Sequence, residues 1–214
     1  MGLSSLQVRV ARTFFALPES AGFALAGGSA LLAQGIVDRT TKDLDLFGIE
    51  RRTIHAAAES LRDALLKEGL VCEEAFRHPT FVRLRVSDGE ETSEVDVSYD
   101  WQWRASVTTE VGPARSSEEL AVDKMLALFG RAAPRDFVDV YVLAKAHGIE
   151  NLLRWAPEKD SGFSVYFLAE GLGRMVTLNR ELFEVDDETF AAMSEFYADL
   201  RAELIRRTVE GPAP

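Results

Sequence analysis

Asp43 and Asp45 stand two residues apart in the stretch Thr41-Lys42-Asp43-Leu44-Asp45-Leu46-Phe47. On an extended strand side chains alternate, so both carboxylates share one face while Leu44 and Leu46 take the other. Two carboxylates side by side repel unless a cation lies between them. Hard divalent cations such as Mg²⁺ or Mn²⁺ accept oxygen ligands of this kind and often share them with substrate phosphates. The alternation recurs in Glu94-Val95-Asp96-Val97. If the two strands are neighbours, Asp96 joins the pair and three carboxylates converge on a metal. An isolated Asp-x-Asp fits a sheet edge, salt-bridged to Lys42 or Arg39, equally well.

Upstream, Gly27-Gly28-Ser29 falls where a short apolar run, Phe23–Ala26, gives way to Ala30-Leu31-Leu32-Ala33. The pattern predicts a strand, a tight turn and a helix capped by Ser29. Glycines admit a close backbone approach, and the free N–H groups of a first helical turn favour an anion. The turn is therefore a candidate triphosphate seat, although a plain turn with a serine cap has the same sequence. An anion seat followed by a two-carboxylate metal seat is what nucleotidyl transfer requires.

The surrounding elements have to position these groups. Ser5–Leu17 has a helical apolar face of Leu6, Val10, Phe14 and Leu17. Arg51–Lys67 reads as a helix stopped by Gly69, and three strands follow at Leu70–Phe76, Phe81–Val86 and Ser93–Tyr99, the last two joined through Ser87-Asp88-Gly89. From Ser116 onward only helical periodicity remains, with helices at Ser117–Phe129 and Pro134–His147 and at least two more ending near Arg207. The fold class expected is α+β: a domain at 1–112 with a mixed sheet, and a helical domain at 113–214. The last four residues, Gly211-Pro212-Ala213-Pro214, read as a frayed tail.

Composition narrows the function classes. The chain has 214 residues, enough to bury a core without a disulfide, and its single cysteine, Cys72, rules out an internal one and fits a reducing compartment. No run approaches the roughly 18 apolar residues of a membrane span, and the N-terminus lacks the pattern of a signal peptide, so a cytoplasmic protein with no membrane partner is expected. The net charge of −11 argues against strong non-specific binding to nucleic acid. His55, His78 and His147 have no metal-ligand spacing, and Trp101 and Trp103 read as packing residues.

The residues Gly27-Gly28-Ser29, then Arg39-x-Thr41-x-Asp43-x-Asp45-Leu46, resemble the signature of the DNA polymerase β-like nucleotidyltransferases. In particular they are similar to the AbiEii/AbiGii toxins of type IV toxin–antitoxin pairs. That family also carries a lysine, a later arginine and an Arg-Asp-x-x-Asp helix, matched here by Lys124, Arg131 and Arg135-Asp136-Phe137-Val138-Asp139. The resemblance spans roughly Phe23 to Lys145. It implies an enzyme that moves an NMP from an NTP to an RNA acceptor, with the 3′ end of tRNA the first choice, and that is neutralised by a cognate antitoxin.

The resemblance also implies roles. Asp43, Asp45, Lys124 and Asp139 would be catalytic, and Gly27, Gly28, Ser29, Arg39 and Thr41 would bind the nucleotide. Asp43, Asp45 and Asp96 would hold the metal. Lys124 lies near the apolar face of its helix, where a snorkelling lysine is the alternative. Asp136 and Asp139 share a helix face and also fit a solvated pair bonded to Arg131 or Arg135. Some toxins of this kind are silenced by phosphate on an active-site hydroxyl, which makes Thr41 a candidate for modification. Two other readings keep the fold: transfer to a small cationic acceptor such as an aminoglycoside, and a non-catalytic nucleotide-binding regulator.

Overall fold

A computed structural model describes residues 2–210. The tail from Gly211 lies outside the described residues. Two compact units divide between Leu120 and Ala121.

The first unit is built on a seven-stranded mixed sheet. Its strands are β1 (Phe23–Leu25), β2 (Asp43–Gly48), β3 (Val71–His78), β4 (Phe81–Ser87), β5 (Thr92–Tyr99), β6 (Val107–Thr109) and β7 (Gly112–Ala114). The order across the sheet is β3-β4-β5-β2-β1-β7-β6. The β2–β5 and β1–β7 pairs are parallel and the rest antiparallel. Helices α1 (Ser5–Phe15) and α3 (Ile54–Lys67) pack together and against the sheet, while α2 (Gly27–Ala33) contacts β2. The core holds Leu44, Leu46, Val82, Leu84, Val86, Val95 and Val97 from the strands and Val10, Phe14, Ala57 and Leu61 from the helices. Alternation in β2, β4 and β5 thus buries one face of the sheet and leaves the polar residues on the other.

Strands β6 and β7 were not expected. At three residues each, one containing Pro113, they are too short to show alternation. They belong to the sheet because Ala114 pairs with Leu25. Ser29 corrects a second expectation. The N-cap of α2 is Ala26, and Ser29 lies within the helix.

Directly after β7, Arg115 is fully buried and ion-paired to Asp100 at 2.8 Å and Glu119 at 2.9 Å. The Glu119 carboxylate also accepts the backbone N–H groups of Trp103 and Arg104. Trp103 in turn lies under the Arg104 guanidinium. This cluster fixes the irregular stretch between β5 and β6. The pairing is not legible in the sequence, because Arg115 lies fifteen positions beyond Asp100.

The second unit is helical: the remainder of α4 (Ser117–Gly130), then α5 (Pro134–His147), α6 (Ile149–Lys159), α7 (Val165–Leu172) and α8 (Asp187–Glu210). Phe137, Tyr197, Phe183 and Phe190 stack edge-on or tilted in its core. Among the described residues no helix is long and apolar enough to cross a membrane.

Removing Glu119 takes one of two carboxylates from a buried cation and frees two backbone donors. Glu119→Ala is expected to cost about 3–5 kcal/mol, read as a lowered midpoint in urea unfolding. An unchanged midpoint would mean that the cluster is not part of what holds this unit together.

Candidate active site

Asp45 is the centre of the polar face. Its backbone is locked at both ends: its carbonyl accepts from Ala26 N–H at 3.0 Å, and its N–H donates to Ser29 Oγ at 3.2 Å. The Ser29 hydroxyl donates in turn to the Ala26 carbonyl at 2.8 Å. Ser29 is fully buried. The Ser29 hydroxyl thus joins the glycine turn to β2.

The glycines explain the turn. Gly27 has φ +53°, in the left-handed region, and a Cβ built there would lie 2.2 Å from Asp45 Oδ2. The carboxylate occupies the space that any other residue would fill. At Gly28 a Cβ would meet Thr41 Oγ1 at 3.1 Å and Arg39 Nη2 at 3.2 Å. Gly27, Gly28, Arg39, Thr41 and Asp45 are thus brought together around one turn. Thr41 Oγ1 donates to the Asp43 carbonyl at 3.2 Å, and Arg39 Nη1 donates to the Thr40 carbonyl at 3.0 Å. Asp43 and Asp45 are both half-buried on the polar face, and Leu44 and Leu46 are buried on the other.

A residue not singled out in the sequence supports this loop. Gln7, almost fully buried at the start of α1, donates from Nε2 to the Thr41 carbonyl at 3.0 Å and to Ser93 Oγ at 3.4 Å. Its Oε1 accepts from Ser4 N–H in a capping box. The capping box is legible in Ser4-x-x-Gln7. The second job of the glutamine is not, since Thr41 is 34 positions away.

Asp43, Asp45 and Asp96 lie on the neighbouring strands β2 and β5. Parallel pairing sets Asp45 opposite Asp96 and Asp43 opposite Glu94, so all four share a face. Arg83 on β4 is directly across from Asp96 and takes both of its oxygens, each at 2.7 Å, with Glu94 at 3.0 Å. The hydrogen bonds to Asp96, and the nearby charges of Asp96, Glu94 and Asp43, hold the guanidinium firmly cationic. Among the described residues no group of three or more His, Cys, Asp or Glu side chains is arranged to hold a metal. Of the three carboxylates expected to hold a metal, Asp96 is paired to Arg83 in this structure. Two hard-oxygen ligands beside a glycine cradle fit a divalent cation that shares its remaining positions with phosphate oxygens and water.

In the helical unit Lys124 and Asp139 form a buried ion pair, Nζ to Oδ2 at 2.8 Å. Asp136 is also fully buried; it is held by Arg131 Nε and Nη2 at 2.7 and 2.8 Å, and accepts from Ala133 N–H. The two aspartates are not the solvated pair that the sequence allowed. Burial first, then the charges of Asp139 and Asp136, pushes the Tyr197 hydroxyl well above its ordinary pKa, and it stays a donor to the Phe137 carbonyl at 2.6 Å. Cys72 is inert by contrast, its thiol pushed up to about 11 by burial.

Sheet, turn and carboxylate strand together define a nucleotidyltransferase. The chain matches the nucleotidyl transferase AbiEii toxin family of type IV toxin–antitoxin systems over residues 10–207, and it belongs to that family. Solved structures give the same fold. One is JHP933 from Helicobacter pylori, at 17% identity and TM-score 0.55, covering 98% of this chain and 97% of that one. Another is MenT4, a nucleotidyltransferase toxin from Mycobacterium tuberculosis, at 17% identity and TM-score 0.57, covering 94% and 90%. No curated protein sequence matches the chain.

The burial of Lys124 gives a stability prediction. Removing one partner of a buried pair costs about 3–5 kcal/mol, whereas replacing both by apolar residues is often neutral. Lys124→Met and Asp139→Leu are each expected to destabilise by that amount, and the double variant to recover most of the loss in urea unfolding. Additive losses would show that the two charges do not depend on each other.

Proposed function

We propose that this nucleotidyltransferase transfers an NMP from an NTP to the 3′ hydroxyl of an RNA, tRNA being the preferred acceptor, with Mg²⁺ or Mn²⁺ as cofactor. The observation that carries the reading is the convergence of Asp45, Arg39 and Thr41 on the side-chain-free face of Gly27 and Gly28. A triphosphate needs a cationic, donor-rich turn, and a metal that bridges its oxygens needs carboxylates beside that turn.

Asp43 and Asp45 would hold the metal, which when bound neutralises phosphate charge and lowers the pKa of the attacking hydroxyl. The backbone of Gly27-Gly28, the Arg39 guanidinium and the Thr41 hydroxyl would bind and orient the phosphates. Ser29 and Gln7 would keep that turn and the Thr41 loop in register. Asp96, in register beside Asp45 and held by Arg83, would complete the metal site or draw the proton from the attacking hydroxyl. The acceptor oxygen forms a bond to the α-phosphorus, the bond to pyrophosphate breaks, and the hydroxyl proton leaves to the carboxylate face and solvent. Lys124 and Asp139 carry the catalytic roles that the family resemblance gives them. A cognate antitoxin would restrain the enzyme in the cytoplasm. Phosphate on Thr41 would add about −1.5 to −2 charge where the triphosphate must lie.

The test is incubation with Mg²⁺, each α-labelled NTP in turn and total RNA. Label is expected in RNA of tRNA size with at least one NTP. Asp43→Asn and Asp45→Asn are expected to lower incorporation by about 100-fold or more, the scale on which one misplaced catalytic contact acts. Full incorporation by both variants would refute the assignment of the metal seat.

A further inference from the structure

The row of side chains that begins at Asp45 does not end at Arg83. Register pairs Asp45 with Asp96, Asp96 with Arg83, and Arg83 with Phe76 on the edge strand β3. The adjacent row contains Phe47, Ser98 and Phe81. Phe76 and Phe81 are diagonal neighbours with ring centroids 5.9 Å apart, and the Arg83 guanidinium lies 5.6 Å from the centre of the Phe81 ring.

Phe76 is 56% exposed, on a strand where only Cys72 is buried. A fold that needed an apolar residue here for packing would cover it, and one that needed only solubility would not place an exposed phenylalanine on the edge strand beside a second on β4. The bulge between Glu74 and Phe76 brings Phe76 onto the polar face. In strict alternation from Cys72 that position would fall on the core face.

We propose that Phe76 and Phe81, with Arg83, form a stacking platform for the unpaired bases of the RNA acceptor next to its 3′ end. The proposal rests on the RNA reading above. Its physical basis is continuity and geometry. With strands about 4.8 Å apart, Phe76 lies on the order of 14 Å across the sheet from Asp45, within reach of the nucleotides that precede a 3′ hydroxyl seated at Asp43 and Asp45. Exposed aromatic faces beside an arginine bind single-stranded RNA without reading its sequence, because every base has a π-face. Such a platform also suits a protein of strongly negative net charge, since stacking supplies affinity that a basic surface would otherwise provide.

The experiment uses the full chain and a short oligoribonucleotide with 2-aminopurine next to its 3′ nucleotide. Wild type is expected to quench the fluorophore, and Phe76→Ala to weaken oligonucleotide binding by about fivefold or more. Phe76→Trp should restore binding. Affinity for NTP, measured separately, and the melting temperature should be unchanged in both variants. Equal oligonucleotide affinity in wild type and Phe76→Ala would overturn the platform while leaving the RNA reading intact. If wild type neither binds the oligonucleotide nor labels RNA, yet still binds NTP, the RNA reading fails and the platform fails with it.

Discussion

The first unit depends on one close approach, the Asp45 carboxylate lying against the bare Cα of Gly27. A carboxylate on a strand can be offered to a ligand at a turn only if the turn leaves room for it. At Gly27 the room exists because the residue has no side chain and sits at φ +53°. The hydrogen bonds from Ala26 and Ser29 then hold strand and turn at that spacing. Everything else on the polar face is counted from Asp45 by sheet register: Asp96 beside it, Arg83 next, and Phe76 at the edge.

Charge is handled differently in different places. Where it is buried it is paired: Arg115 with Asp100 and Glu119, Lys124 with Asp139, and Asp136 with Arg131. These pairs avoid the large cost of an isolated buried ion rather than adding much net stability. On the polar face Arg83 holds Asp96 and Glu94 and feels the charge of Asp43, and Arg85 lies 3.9 Å from Glu94. Asp43 and Asp45 lie half-buried on the same face.

Much of this was legible in the sequence. Asp43, Leu44, Asp45 and Leu46 alternate so cleanly that strand, face and register follow from spacing, and Gly27-Gly28 marks the turn that must meet them. Pro134 and Gly148 bound α5 as their backbone preferences require. What was not legible depends on partners distant in the chain. The capping role expected of Ser29 gave way to a bond with Asp45. The pairing of Asp96 with Arg83, directly across from it, cannot be read from β5 alone. Gln7 signals a helix cap and also pins the Thr41 loop. Asp136 and Asp139 fitted a solvated face, and their burial is set by the packing of Phe137 and Tyr197 around them.

Gly27→Ala fills the space that the Asp45 carboxylate occupies, and its nucleotide incorporation and thermal unfolding are to be measured on the same preparation. A side chain there must displace the carboxylate by an ångström or more, so incorporation is expected to fall by about 100-fold. Backbone strain alone costs about 1–3 kcal/mol, so the variant should still unfold cooperatively, at a modestly lower temperature. Wild-type incorporation by a folded variant would contradict the account.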